Sequence, residues 1–357
     1  MIEKELKKRN VPDLFFGEES VSVDVWENSI KPKWKDILLT EEYGFFPTRL
    51  IPTIRTKLNA ETFSGKATWE EVFFTFENDG KTHEIKTNLI YPKDKTDLPF
   101  FIFLNFRPDV PDKALPIDFI LDSGYGVFIA CRNDITEDNG DFESGLAGLF
   151  KREQTNVEYG KLVIWAYMAM QMMDYLQTRA EPNKEKIGVI GHSRLGKAAL
   201  LAGAFDNRFS FVCANESGCS GAALSRKGYE WAEKIEHITA TFPYWFCNNY
   251  QKYAKNEDNL PFDQHALISL IAPRSVYVGG AVEDTWADND NQFLSCVAAS
   301  KVWELYGKKG IVCLDRLPIE RDSFMDGNVG FFLRSGVHSL TLFDWETYIK
   351  ALNKKFN

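Results

Sequence analysis

Short apolar runs with little polar interruption recur along the chain: FFIFLNF at 100–106, YGVFIAC at 125–131, IGVI at 187–190, FSFVCA at 209–214, SVYVG at 275–279 and IVCL at 311–314. A strand that is apolar on both sides is buried on both faces, the condition of a parallel sheet covered by helices above and below. The earlier chain differs. ATWEEVFFTFE (67–77) and THEIKTNLIYP (82–92) are β-rich and meet at Asn78-Asp79-Gly80, a hairpin signal. Helices are expected over 34–43, 156–179, 290–306 and 341–353, whereas VSVDVW at 21–26 alternates as a strand would. A hairpin followed by alternating strands and helices predicts the α/β class, with a mixed, mostly parallel central sheet and helices on both faces. No repeat, low-complexity tract or linker divides the pattern. One domain over 1–357 is therefore expected, with 1–60 as an N-terminal wrap. The stretch 218–273 is too long for a simple crossover and is expected to be an excursion that roofs the site.

Parallel strands end on one sheet edge, and ligands bind beyond that edge. GHSRLGK (191–197) follows the 187–190 run directly and leads into an alanine- and leucine-rich helix. Gly191 permits a tight turn and Gly196 lets the helix pack close to the neighbouring strand. Ser193 is then held above the sheet near a helix N-terminus, where an oxyanion is favoured: a nucleophile elbow. The spacing departs from G-x-S-x-G, because Leu195 stands where the second glycine would be.

The other apolar runs are followed by Glu216, by Asp284 and Trp286, and, before the last helix, the chain carries Arg334-Ser335-Gly336-Val337-His338. Ser193, a carboxylate and then His338 is the chain order of an α/β-hydrolase triad. Glu216 and Asp284 are both open as the acid. Of five histidines, His83 sits in the hairpin, His237 in the roof, and His265 reads as structural. His192 is expected to point away if Ser193 points into the cleft. Arg194 stands on the first helical turn, where the dipole disfavours a cation, so a functional role on a developing oxyanion is the better account.

Charge and cysteines narrow the partners. A net charge of −9 and a pI of about 5.3 argue against nucleic acid or anionic membrane as partner. The apolar stretch 162–176 contains Gln171 and Asp174 and is too short to span a bilayer. Six cysteines include no C-x-x-C pair, which argues against zinc, and Cys131 and Cys213 read as buried thiols. The first residues lack the apolar core of a signal peptide, so a cytoplasmic protein is expected, with a secreted chain whose leader has been removed as the alternative. The oligomeric state stays open.

GHSRLGK, ANESGCSGAALSR, FPYWFC, LPFDQHALISLIAPR, EDTWAD and GVHSLTLFDW occur in this order. Together they resemble the glucuronoyl esterases of carbohydrate esterase family fifteen, the bacterial branch most closely. The resemblance implies an α/β-hydrolase fold and a serine esterase that needs no cofactor or metal. It makes Ser193 the nucleophile, His338 the base and Glu216 the acid, with Asp284 at a second carboxylate position seen in bacterial relatives. It further assigns Arg194 to the oxyanion, Lys197 and Glu233 to the sugar, and Trp286 to the face of the uronic ring. One block departs: LNFRPDVP stands where the family reads L-N-F-x-G-N-H. The implied substrate is an ester of (4-O-methyl-)glucuronic acid, such as a lignin–xylan cross-link. Two alternatives remain: an acetylxylan or other carbohydrate esterase with the same triad, and a catalytically silent carbohydrate-binding protein on the same fold.

Overall fold

The structure, a computed structural model, describes residues 1–153 and 155–356. Its centre is a ten-stranded sheet in the order β1-β2-β3-β5-β4-β6-β7-β8-β10-β9. The strands are β1 Thr53–Leu58, β2 Ala67–Asn78, β3 Lys81–Pro92, β4 Leu98–Asn105, β5 Gly126–Cys131, β6 Pro182–His192, β7 Phe211–Asn215, β8 Ser275–Ala281, β9 Ser323–Phe324 and β10 Val329–Arg334. From β5 to β10 along this order every pairing is parallel. β1, β2 and β3 pair antiparallel, β3 joins β5 antiparallel, and β9 pairs antiparallel with β10. Asp79 and Gly80 both take positive φ, 48° and 75°, as the two-residue β2–β3 turn requires.

The continuous apolar runs are explained by two cores. Phe100, Ile102 and Leu104 enter one, shared with the helices Lys161–Thr178 and Arg194–Phe205. Phe101 and Phe103 enter the other, shared with the helices Ile117–Asp122 and Leu342–Phe356. Successive side chains alternate between faces, and each face is covered, so no position on β4 is left for a solvated residue.

Several expectations are corrected. VSVDVW is helical: Ser22 caps a turn by accepting from Val25 N, and the chain continues through a wide turn, Trp26–Ile30, into the helix Lys31–Leu38. Trp26, Ile30, Trp34 and Leu38 are all buried, a spacing of four that stacks them along one face of the helical segment. Residues 311–314 are not a strand. They join no sheet, with only Ile311 and Cys313 half-buried, because β10 occupies the place beside β8 and β9 closes its outer edge. β1, β9 and β10 lie outside the segments expected to be strands. The helix expected over 156–179 starts only at Lys161, after Gly160, and that over 290–306 divides at Ser300 into Asn289–Ala299 and Lys301–Leu305.

The N-terminal segment packs behind the site. Arg9 Nε donates to Asn291 Oδ1 at 2.5 Å, and His265 Nε2 meets Pro12 O at 2.9 Å.

Candidate active site

β6 ends at His192, and Ser193 takes φ 57°, ψ −128° before the helix Arg194–Phe205 begins. Such a conformation is costly for a residue with a Cβ and persists only where neighbours enforce it. Ser193 N donates to Asn215 O at 2.8 Å, and Gly196 N returns to Ser193 O at 2.9 Å. Gly191 is obligatory, since a Cβ there would lie 2.1 Å from Leu195 O. The hydroxyl thus sits at a helix N-terminus, whose first N–H groups have no intrahelical acceptor.

Ser193, Arg194, Lys197, Glu216, Glu233, Asp284, Trp286 and His338 all line one cavity of about 350 Å³, together with Phe242 and Trp245. Every residue singled out as a site candidate is therefore brought to one place.

His338 Nδ1 faces two carboxylates: Asp284 Oδ2 at 2.6 Å and Glu216 Oε2 at 3.1 Å. With Nδ1 engaged by acceptors it carries the proton, which leaves Nε2 as the basic nitrogen. Burial alone would lower the imidazole pKa, but the two carboxylates outweigh it and raise it to about 9. The Glu216 carboxyl is pushed up to about 7 by burial, against the pull of His338 and Arg334. Glu216 stands at positive φ, 47°, and is fixed at both oxygens: Arg334 Nη2 donates to Oε1 at 2.5 Å and Ser339 N to Oε2 at 2.9 Å. Arg334 also pairs with Asp344 at 3.0 Å and donates to Ser335 O, Val337 O and Ser339 O. The loop carrying His338 is wound around this guanidinium.

His192 does not point away. Its ring lies 4.5 Å from that of His338, and Nδ1 meets Asn215 Oδ1 at 2.6 Å. Asn215 Nδ2 donates to Asp344 Oδ1, so its Oδ1 is an acceptor and His192 Nδ1 is the donor. Burial, reinforced by the neighbouring His338, lowers its pKa to about 3 and keeps it neutral. His192, Glu216 and His338 present ligand-type atoms within 4.8 Å of one another, the single group with metal-binding spacing among the described residues. Asn215, Arg334, Ser339 and Asp284 already engage these side chains.

Arg194 is held by a residue that carries no motif. Asp138, its side chain tucked in after the short helix Arg132–Ile135 that follows β5, accepts from Arg194 Nη1, from Arg132 Nη1 and from Trp245 Nε1, the last at 2.7 Å. The guanidinium also lies over the Trp245 and Phe242 rings, 4.6 and 4.8 Å from their centroids. These contacts fix the plane of the Arg194 fork beside Ser193. The departing LNFRPDVP block folds on itself: Asn105 Nδ2 donates to Asp112 Oδ2, and Phe106 N to Asn105 Oδ1 at 2.8 Å. The Phe106 amide is thus occupied by its neighbour.

On the far side, Lys197 is buried and donates to Ser217 O and Cys219 O, both at 2.5 Å, with Glu233 Oε2 at 3.9 Å. An ammonium has three donors, so one remains for a ligand in the cavity. Trp286 is half exposed, with its ring 5.3 Å from that of His237. Asp138, Arg334 and His192 were not foreseen. The first two belong to no recognisable spacing, and only the sheet topology brings them here.

Comparison with known proteins fits this geometry. A family profile described as "Glucuronyl esterase, fungi" matches residues 74–307. Carbohydrate esterase MZ0003, from an unknown prokaryotic organism, is 31% identical over 392 aligned positions that cover 98% of this chain and 90% of that protein. A 4-O-methyl-glucuronoyl methylesterase of Podospora anserina is 31% identical over 187 positions, 49% of this chain and 38% of that one. Among solved structures, a glucuronoyl esterase from Solibacter usitatus superposes with a TM-score of 0.90 at 30% identity, covering 98% of both chains. On fold, site and sequence together, the chain belongs to the glucuronoyl esterase family of carboxylic ester hydrolases.

Proposed function

We propose that the protein hydrolyses esters of glucuronic or 4-O-methyl-glucuronic acid by a serine triad through an acyl-enzyme. Ser193 Oγ attacks the ester carbonyl while His338 Nε2 takes its proton, and His338 then protonates the departing alcohol. Glu216 and Asp284 together hold the tautomer and stabilise the imidazolium that forms. The Arg194 guanidinium and the N–H groups at the start of its helix face the negative charge that develops on the carbonyl oxygen. Water, activated by the same histidine, then cleaves the acyl-enzyme.

The observation that carries this reading is the pairing, in one cavity, of the strained Ser193 with Lys197, Glu233 and Trp286. A buried cation and a half-buried carboxylate beside an exposed indole suit the hydroxyls and C–H face of a sugar on the acyl side. The esterified carboxyl is neutral, so the pocket needs hydroxyl partners rather than a counter-ion. An acetylxylan esterase would have to hold its sugar on the alcohol side and only a methyl group against these residues. Comparing benzyl glucuronate, acetylated xylan and nitrophenyl acetate tests the reading. Preferred cleavage of benzyl glucuronate is expected, and a preference for acetylated xylan overturns it.

A further inference from the structure

Of the nine tryptophans only Trp231 and Trp286 are exposed, at 59% and 49%. Trp286 belongs to the pocket already described. Trp231 does not line it, yet its ring is not loose: it stacks on Tyr229 with centroids 4.8 Å apart and planes 7° from parallel. Tyr229 is fastened in turn. Its hydroxyl donates to Asp290 Oδ2 at 2.5 Å, and its amide to Asp288 Oδ2 at 3.3 Å. Asp288 also caps the helix Asn289–Ala299 by accepting from Asn291 N. Two residues after Trp231, Glu233 N donates to Trp286 O at 2.9 Å. The segment 229–233 is therefore stitched along 284–290, the same strip that carries Asp284 and Trp286.

We propose that the Tyr229–Trp231 stack is a second ring subsite, which takes a neutral pyranose of the glycan attached to the uronic acid held in the pocket. The inference rests on the function proposed above. Trp231 is two residues from Glu233, so their Cα atoms are at most ~7 Å apart, within reach of the sugar joined to one held at Glu233. An ordered, outward-facing aromatic stack offers a flat apolar surface at little cost in entropy, because its rings are already immobilised. The C–H face of a pyranose matches that surface. Asp290, bonded to the Tyr229 hydroxyl through one oxygen, offers the other to a ring hydroxyl and repels a second anion, which favours neutral sugars over uronates. An aromatic alcohol would use the ring face but leave this carboxylate without a donor. It would also depart near His338, whereas the stack adjoins the Glu233 and Trp286 side.

The test compares two substrates in wild type, Trp231→Ala and Trp231→Phe: benzyl glucuronate, and the methyl ester of a glucuronic-acid-bearing xylo-oligosaccharide. Trp231→Ala is expected to raise KM for the oligosaccharide ester by about three- to tenfold at unchanged kcat. Benzyl glucuronate should change by less than about twofold in kcat/KM, and Trp231→Phe should restore most of the oligosaccharide KM. Equal effects on both substrates, or none on the oligosaccharide, overturn the subsite. A loss confined to benzyl glucuronate assigns the stack to the alcohol and also overturns it. Titrating the free oligosaccharide into Ser193→Ala protein, with and without Trp231→Ala, reads the subsite independently of turnover. A failure of the wild type on benzyl glucuronate would refute the proposed function instead.

Discussion

Replacing each of the two acids in turn separates what they do for His338. In Asp284→Ala the 2.6 Å bond to Nδ1 is lost, but Glu216 Oε2, already at 3.1 Å, is in place to receive the same proton. Complete loss of a triad acid costs about 10⁴ in turnover, so with one acid remaining a fall of about tenfold is expected. Glu216→Ala removes more than a bond to the base. Ser339 N loses its acceptor, and Arg334 keeps only Asp344 as a charge partner. An orphaned buried donor costs ~1–3 kcal/mol, and breaking a buried ion pair ~3–5 kcal/mol when nothing remains. With Asp344 retained, about 3 kcal/mol is a fair sum, a fall of roughly 4 °C in Tm for a chain of this size. The loop that aims His338 also loosens, so turnover should drop by about 10²–10³.

The pH profile supplies the second signature. The base form of His338 grows as pH rises through about 9, so kcat/KM in the wild type should climb toward that value. Two carboxylates hold the pKa up, while Arg334 and the neutral His192 are the other groups packed around it. Removing the Asp284 anion lets the pKa fall, and the limb should move on the order of one pH unit toward acid. Stopped assays of kcat/KM from pH 5 to 10, alongside thermal melts of both variants, check the argument. It fails if Asp284→Ala leaves the profile unmoved, or if Glu216→Ala melts like wild type and turns over faster than Asp284→Ala.

Ser193→Ala should abolish turnover while melting within a degree or two of wild type, because the hydroxyl faces a cavity; retained hydrolysis of benzyl glucuronate would end the nucleophile assignment. Lys197→Ala and Trp286→Ala should each depress glucuronate ester hydrolysis far more than that of nitrophenyl acetate, and equal losses on both would make them supports of the fold. Asp138→Asn should cut kcat about tenfold to a hundredfold, since it releases Arg194 and leaves two guanidinium groups facing each other; unchanged kcat would mean Arg194 is positioned without it.

The elbow was legible because its requirement is local. Gly191 has no room for a Cβ, and the strand and helix on either side announce themselves in composition. The hairpin turn and the doubly buried strands were legible for the same reason. What failed was alternation read over too short a span. VSVDVW alternates, but the buried Trp26, Ile30, Trp34 and Leu38 show a helical stripe only over a window twice as long. IVCL has the composition of a strand without a free edge to join, which is a property of the sheet and not of the segment. His192 was misplaced because neighbours of a nucleophile at positive φ do not simply alternate. Asp138 and Arg334 lie 55 or more residues from the partners that give them meaning, Arg194 and Glu216.

Arg334 organises the loop that carries His338. Its fork contacts Glu216, Asp344 and three carbonyls of the 335–339 loop, and none of these bonds involves a ligand. The orientation of the imidazole is therefore set by protein groups alone. On the proposed mechanism, ordering the base adds no reorganisation to the barrier, and a sugar held at Lys197, Glu233 and Trp286 would not need to assemble the triad. Affinity for the sugar and readiness of the base are thereby uncoupled: an ester that fills the pocket poorly meets the same aligned histidine, and suffers in KM before it suffers in the chemical step.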